Sequence, residues 1–398
     1  MTPRCVVGLE HLRAHPELAK HWGRCGLLCN QASTTQDFKP AWQVLFDILG
    51  PRLTALFGPQ HGFSGTAQDN MIETIHASHI KTGLPVFSLY SETREPTTAM
   101  LELVDTLIID LQIVGCRIYT WKSTIAGCLR AAKKYGKKVV ILDRPNPVGG
   151  ELIEGRVLDT NATSFVGQFP TPMRHGLTAA ESALFFNSWI GADLEAILME
   201  GWDPRSYWCD LGRQWILTSP NLPTPDPVYV YPGTVILEGT NISEGRGTGL
   251  PFQLVGAPYV RSGDDVIHRI KELIGEPPGV FLREASFEPT SQKWKGQQCN
   301  GLQIHVTNPK TVRSYKLTLA LIKAFMDQGN GFEWKKPPYE YDYETLPIKL
   351  IIGSHNVEKH ISKAIFFPDD PFWSEGLNSY IEAVQPYLRY PRQLKVAN

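Results

Sequence analysis

Carboxylates, histidines and arginines recur through the first two thirds of this chain in short polar clusters. The clusters are Asn30-Gln31-Ala32-Ser33, Gly58-Pro59-Gln60-His61-Gly62, Ser91-Glu92-Thr93-Arg94-Glu95, Gln112 through Arg117 after Asp110, and Asp143-Arg144-Pro145-Asn146-Pro147. Glu154 and the pair Arg174-His175 follow. Carboxyl groups beside histidines and arginines suit acid/base catalysis on an anionic or polyhydroxylated substrate. Competing chemistries lack their marks. There is no G-x-S-x-G elbow for a serine nucleophile. There is no G-x-x-x-x-G-K-[ST] loop, and Gly245-Arg246-Gly247-Thr248-Gly249 lacks dinucleotide spacing. Glu73, His76 and His79 are metal-ligating types, but H-E-x-x-H is absent and they fall in an expected loop, so an exposed polar segment is the simpler reading.

The elements that must position these clusters are legible in the periodicity. Apolar runs at 26–29, 53–57, 85–89, 106–111 and 138–142 read as buried strands, and helical patterns at 41–49, 97–104 and 121–135 lie between several of them. Such alternation predicts a parallel sheet covered on both faces. Each of the five runs leads directly into one of the polar clusters. In open parallel sheets ligands bind outside the carboxyl ends of the strands, so five clusters on one edge predict a site there. The long polar segment between 57 and 85 suits an active-site loop. Thr178 with Glu181 three residues on is a capping-box start for a helix at 178–189. Strand-like runs follow at 196–199 and 228–237. The texture changes near 256–263, after which the pattern reads helix (264–274), strand (280–287), strand (302–307), helix (315–327), a Pro/Tyr-rich stretch and a last helix near 375–388. The expectation is an α/β fold: a Rossmann-like parallel-sheet domain over residues 1–258 and a smaller α/β domain over 259–398.

Bulk properties narrow the partners. With 398 residues, 42% hydrophobic and 20% charged, the chain can bury a sizeable core. Its 39 basic and 40 acidic residues leave a formal charge of −1, which disfavours nucleic acid. No apolar run approaches the roughly 18 residues of a membrane helix, so no membrane partner is expected. The opening MTPRCVVGLEH lacks the basic and apolar segments of a secretory leader, so the chain as written is expected in the cytoplasm, or secreted if a leader was removed. Seven cysteines, an odd and sparse set, fit a reducing compartment. Cys25 and Cys29 read as buried thiols rather than a metal pair.

At these same clusters the chain resembles the NamZ family of exo-β-N-acetylmuramidases. The matching blocks are LFGPQHGFSG (56–65), LPVFSLYSETREPT (84–97), DLQIVGCRIYTW (110–121), ILDRPNPVGG (141–150), IEGRVLD (153–159), FVGQFPTPMRHGLT (165–178), EGW (200–202), SPNLPT (219–224) and YPGTVILEGTNISEGRGTGLPFQLVGAPY (231–259), with a looser match at CNGLQIHVTN (299–308). The resemblance implies a Rossmann-like catalytic domain with a smaller C-terminal domain, and removal of terminal N-acetylmuramic acid from peptidoglycan fragments. It implies a small sugar or muropeptide as partner and no cofactor. Two positions depart from the family pattern: Gln60 stands where Glu is common, and Ile113 where Asp is common. Gln can neither donate a proton as an acid nor act as a general base.

Glycoside hydrolysis uses two carboxyl groups, one as proton donor and one as base or nucleophile. The candidates in family-like blocks are Glu92, Asp110, Glu154 and Glu244 for catalysis, with Asp143 and Glu238 also in reach. Asp143 can equally pin the turn that follows it. Expected substrate contacts are Gln60, His61, Arg117, Asp143, Arg144, Asn146, Arg174, His175, Asn241 and Arg246. Arginine offers a bidentate fork for the lactyl carboxylate of muramic acid. Tyr119, Trp121, Trp202 and Tyr231 can stack on a sugar face or simply fill the core. Three functions stay open on residue types alone: a glycosidase, a binding protein of the same fold that does not cleave, and a metal-dependent hydrolase. If the acid has moved from position 60, Glu92 and Glu73 are the replacements in view.

Overall fold

In the computed structural model the described residues are 5–68, 71–329, 331–363, 366 and 368–397. Among these described residues thirteen strands run in chain order: β1 (Cys25–Leu28), β2 (Leu53–Gly58), β3 (Ala77–Ser78), β4 (Pro85–Ser88), β5 (Thr106–Ile109), β6 (Lys138–Leu142), β7 (Leu152–Val157), β8 (Pro172–Arg174), β9 (Asp193–Ile197), β10 (Leu254–Ala257), β11 (Val280–Phe287), β12 (Cys299–Val306) and β13 (Lys395–Val396). Seven of them form one sheet in the order β3-β4-β2-β1-β5-β6-β9, parallel throughout except for the antiparallel edge strand β3. The central strands β1, β2, β5 and β6 are buried on both faces, which is why they read as continuous apolar runs rather than alternating ones.

Register turns this sheet into a platform. Phe87, Phe57, Leu28, Ile109 and Ile141 stand in one row across β4, β2, β1, β5 and β6. The residues just beyond that row therefore leave the sheet at one common edge. Two helices flanking the sheet begin at residues 41 and 121, as their periodicity predicts: Ala41–Leu49 and Trp121–Tyr135. Thr178 caps the helix Ala179–Ile190 through a capping box, its hydroxyl accepting from the Glu181 amide and the Glu181 side chain accepting from the Thr178 amide.

Two local expectations need correction. The run at 97–104 is helical only over Thr98–Leu101, capped by Thr97. The run at 228–237 is not a strand but the helix Pro225–Thr234 continued by the 3₁₀ turn Val235–Gly239. Every residue from Pro227 to Gly239 is buried, and a segment apolar all round has no periodicity to separate helix from strand. This helix packs against the helix Ser314–Met326. At Gly233 an added Cβ would lie 1.9 Å from the Ser314 carbonyl oxygen, so only glycine permits the approach.

The antiparallel sheet β10-β12-β11 carries the helix Gly263–Ile274 on one side, and a third sheet, β13-β7-β8, holds the C-terminal residues against the middle of the chain. Strand β10 therefore belongs by hydrogen bonding with β12, although it lies before the boundary expected after residue 258. Among the described residues no helix is long and apolar enough to cross a membrane.

Candidate active site

The loop leaving β2 sets the first wall. Gly58 to Gly62 form a tight turn in which His61 adopts φ of 71°, a left-handed conformation that costs a non-glycine side chain energy and is kept where surrounding structure imposes it. The His61 ring holds the Ala67 carbonyl through Nδ1 at 2.7 Å, which closes the loop on itself. Gln60 is buried with all its polar atoms engaged. Thr120, immediately before the helix Trp121–Tyr135, donates its hydroxyl to Gln60 Oε1. Gln60 Nε2 donates to the Tyr90 hydroxyl at 3.0 Å and to Glu340 Oε1 at 3.3 Å. Tyr90, just after β4, donates in turn to Glu340 Oε2 at 2.6 Å. Segments following β2, β4 and β5 thus meet at one carboxyl from late in the chain, Gln60 and Tyr90 directly and Thr120 through Gln60.

The opposite wall is built on the 3₁₀ turn Val235–Gly239. Glu238 accepts from Arg246 Nη2 at 2.6 Å and from the Tyr339 hydroxyl at 2.7 Å. Behind Arg246, Glu244 lies 3.3 Å from its Nε and accepts from Lys293 at 2.7 Å. Glu340 and Tyr341 take φ of 45° and 69° as the two central residues of a hairpin turn closed by reciprocal hydrogen bonds between Tyr339 and Asp342. Gln60, His61, Glu238, Arg246 and Glu340 line one pocket. Its aromatic surface comes from Tyr119, Trp121, Tyr231, Phe252 and Tyr339. A wider cleft lined by Gln68, Asn221, Gly247–Gly249, Phe287 and Thr290 also borders Arg246.

The electrostatics separate the carboxyls. Burial pushes Glu340 up to about 7; hydrogen bonds from Tyr90 and Gln60 oppose this and the nearby Glu238 charge reinforces it. For Glu244 burial also pushes upward, but Lys293 and Arg246 outweigh it and hold the carboxyl below its ordinary value. Arg246 is raised, because Glu238 and Glu244 outweigh the cost of burying its charge. One carboxyl ready to carry a proton near neutrality beside others paired with cations is a division of labour suited to acid/base chemistry.

The other residues singled out from the sequence are distributed differently. Asp110 is fully buried and bound by Arg144 at 2.5 and 2.8 Å. Glu154 pairs with Arg174 at 2.6 Å and accepts from the Tyr315 amide, and Arg174 also reaches the Tyr207 hydroxyl. Asp143 accepts from Tyr390, Thr178 and the amides of Ala180 and Arg144. Arg117 donates to the carbonyls of Arg156, Thr171, Ile351 and Ile352. Asn146 donates to the Leu177 carbonyl, and His175 Nδ1 accepts from the Leu177 amide, with burial holding that imidazole well below its usual range. Asn241 donates to the Gly331 carbonyl. None of these side chains lines the pocket, whereas Gln60, His61 and Arg246 do. Glu92 is exposed and contacts His76, Glu73 contacts Arg94, and His79 contacts Thr82, so the suspected metal ligands have separate partners. Trp202 packs edge-on against Tyr390. Glu340, Tyr339, Tyr90 and Thr120 were not anticipated. The available signal was a carboxyl between two tyrosines after Pro337-Pro338, a segment too short and irregular for periodicity to reveal.

Fold and pocket define a doubly wound α/β protein with a polar, aromatic-walled site outside the carboxyl ends of its strands. Residues 25–226 match the N-terminal family model, and residues 229–390 the C-terminal one, of the exo-β-N-acetylmuramidase NamZ. The chain is 41% identical over 331 residues to the peptidoglycan β-N-acetylmuramidase NamZ of Bacillus subtilis (strain 168), covering 82% of this chain and 78% of that protein. Two crystal structures of DUF1343 family proteins from Bacteroides fragilis NCTC 9343 share the fold. One has a TM-score of 0.86 at 28% identity, over 98% of this chain and 100% of the other. The second has a TM-score of 0.72 at 27% identity, over 98% and 99%. The chain belongs to the NamZ family of exo-β-N-acetylmuramidases.

Proposed function

We propose that this chain is an exo-acting glycoside hydrolase that releases terminal N-acetylmuramic acid from peptidoglycan fragments, with the pocket between Gln60 and Arg246 as its active site. The observation that carries the reading is the convergence of two carboxyls, Glu238 and Glu340, with one arginine inside an aromatic-walled pocket at the strand ends. Hydrolysis needs two carboxyls, and a single terminal sugar suits a confined pocket with a wider cleft beside it for the rest of the fragment. Aromatic faces at Tyr119 and Tyr231 suit the apolar side of a pyranose.

Of the four arginines expected to meet the lactyl carboxylate, Arg117, Arg144 and Arg174 bind carbonyls and buried carboxylates away from the pocket, whereas Arg246 lines it while pairing with Glu238 and Glu244. A charge-assisted hydrogen bond contributes roughly 1.5–3 kcal/mol, enough for at least about tenfold discrimination. The test uses matched 4-nitrophenyl β-glycosides of N-acetylmuramic acid and N-acetylglucosamine. The muramyl substrate is expected to turn over at least about tenfold faster in kcat/KM. Arg246→Ala should bring the two rates together. Equal turnover by the unmodified enzyme defeats the assignment of Arg246, and binding without product from either glycoside defeats the enzymatic reading in favour of a binding protein.

A further inference from the structure

We propose that Glu340 is the general acid of this pocket, protonating the leaving glycosidic oxygen in place of the carboxyl that the family pattern has at position 60. The inference rests on the glycosidase reading above and deepens it.

Glu340 is the carboxyl that Gln60 touches. The Gln60 amide is fixed in orientation because Thr120 donates to its oxygen, so its nitrogen must face Tyr90 and Glu340. Tyr90 grips Oε2 at 2.6 Å, while among the described residues Oε1 has the longer 3.3 Å contact from Gln60. Oε1 is therefore the oxygen left to carry a proton toward the sugar. The left-handed backbone at Glu340 and Tyr341 is that of a two-residue hairpin turn closed by reciprocal hydrogen bonds between Tyr339 and Asp342, and this turn holds the Glu340 carboxyl at the pocket. Burial favours the protonated form, in keeping with a donor that works near neutral pH.

The step balances simply. The C1–O bond breaks with its electron pair on the leaving oxygen, which takes the Glu340 proton. Water oxygen bonds to C1, and the proton that water sheds restores Glu340, directly or through solvent. Tyr90 acts here as a positioning residue, since its hydroxyl is taken up by Glu340, Gln60 and the Met71 amide and it does not line the pocket.

The experiment compares wild type, Glu340→Gln and Tyr90→Phe on two muramyl substrates. One is a disaccharide whose leaving alcohol needs protonation, and the other a 2,4-dinitrophenyl glycoside whose leaving group does not. For Glu340→Gln the disaccharide rate is expected to fall about 10²–10⁴-fold, the dinitrophenyl rate far less, and the alkaline limb of the pH profile near 7 to disappear. Tyr90→Phe removes a hydrogen bond that favours the ionised carboxyl, so it should move that limb to higher pH; this readout stands if Glu340→Gln fails to fold. Equal losses on both substrates, undiminished disaccharide turnover, or an unmoved limb in Tyr90→Phe would overturn the proposal while leaving the glycosidase reading intact. A folded wild type inert on both substrates would overturn both.

Discussion

Gln60 lines the pocket as an amide held by Thr120 on one side and facing Tyr90 and Glu340 on the other. The sequence motif shows an amide where acid chemistry is expected, next to retained His61, Gly62 and Gly65, and hence a loop still shaped for a site. Which carboxyl compensates depends on a partner 280 positions away, and no local pattern encodes that contact. The structure yields a definite expectation for Gln60→Glu. A carboxylate at 60 loses the Nε2 donor and places a second acidic group about where the 3.3 Å contact to Glu340 now stands. Two carboxyls that close share one proton, and the pair holds it more tightly than Glu340 does alone. The alkaline limb should therefore rise by about one pH unit or more, and on the plateau below it the weaker acid should lower kcat on a disaccharide by less than about tenfold, since one pKa unit corresponds to 1.36 kcal/mol and the transition state feels only part of it. A wild type that is slow until Gln60 becomes Glu would instead assign the acid to position 60 itself.

Among the elements, the strand ends serve two purposes that residue type does not separate. Periodicity located β1, β2, β4, β5 and β6 and the helices Ala41–Leu49 and Trp121–Tyr135 to within a residue or two, because each buries a continuous or one-sided apolar surface. It failed over 228–237, where burial is complete on every side. The same limit applies to the polar residues at the strand ends. Asp110 and Gln60 both follow apolar runs, yet Gln60 faces the pocket and Asp110 binds Arg144 in the interior. Removing one partner of a buried ion pair leaves an unpaired charge and costs roughly 3–5 kcal/mol. Asp110→Ala should accordingly lower the urea midpoint by an amount equivalent to that loss, with kcat/KM of the folded protein within a few-fold of wild type. A drop in kcat of a hundredfold or more at unchanged stability would return Asp110 to the catalytic set.

At the scale of the whole molecule, the chain closes on itself twice, once through Glu340 at the pocket and once through its C-terminal segment. Tyr390 donates to Asp143 at 2.6 Å, Arg392 grips Glu181 at 2.5 and 2.7 Å, and β13 extends the sheet beside β7. These contacts span more than 200 positions, and for that reason composition and periodicity, which read only neighbours, revealed the layers but not their fastening. Arg392 and Glu181 are almost wholly buried, at 1% and 0% side-chain exposure, so the pair is screened little by water. Arg392 also donates to the Gly150 and Gly176 carbonyls, which follow the Asp143 and His175 clusters. Arg392→Ala should strip Glu181 of its cation and those carbonyls of their donors, for a loss of roughly 3–5 kcal/mol. Because Arg392 does not line the pocket, turnover at 25 °C should persist while the urea midpoint and the thermal midpoint both fall. Circular dichroism and residual activity followed across one urea series measure both. Coincident loss of the two signals at a lower midpoint is the expected result. Unchanged stability would show that the segment is merely laid on the surface, and lost activity in a fully folded variant would show that it shapes the site directly.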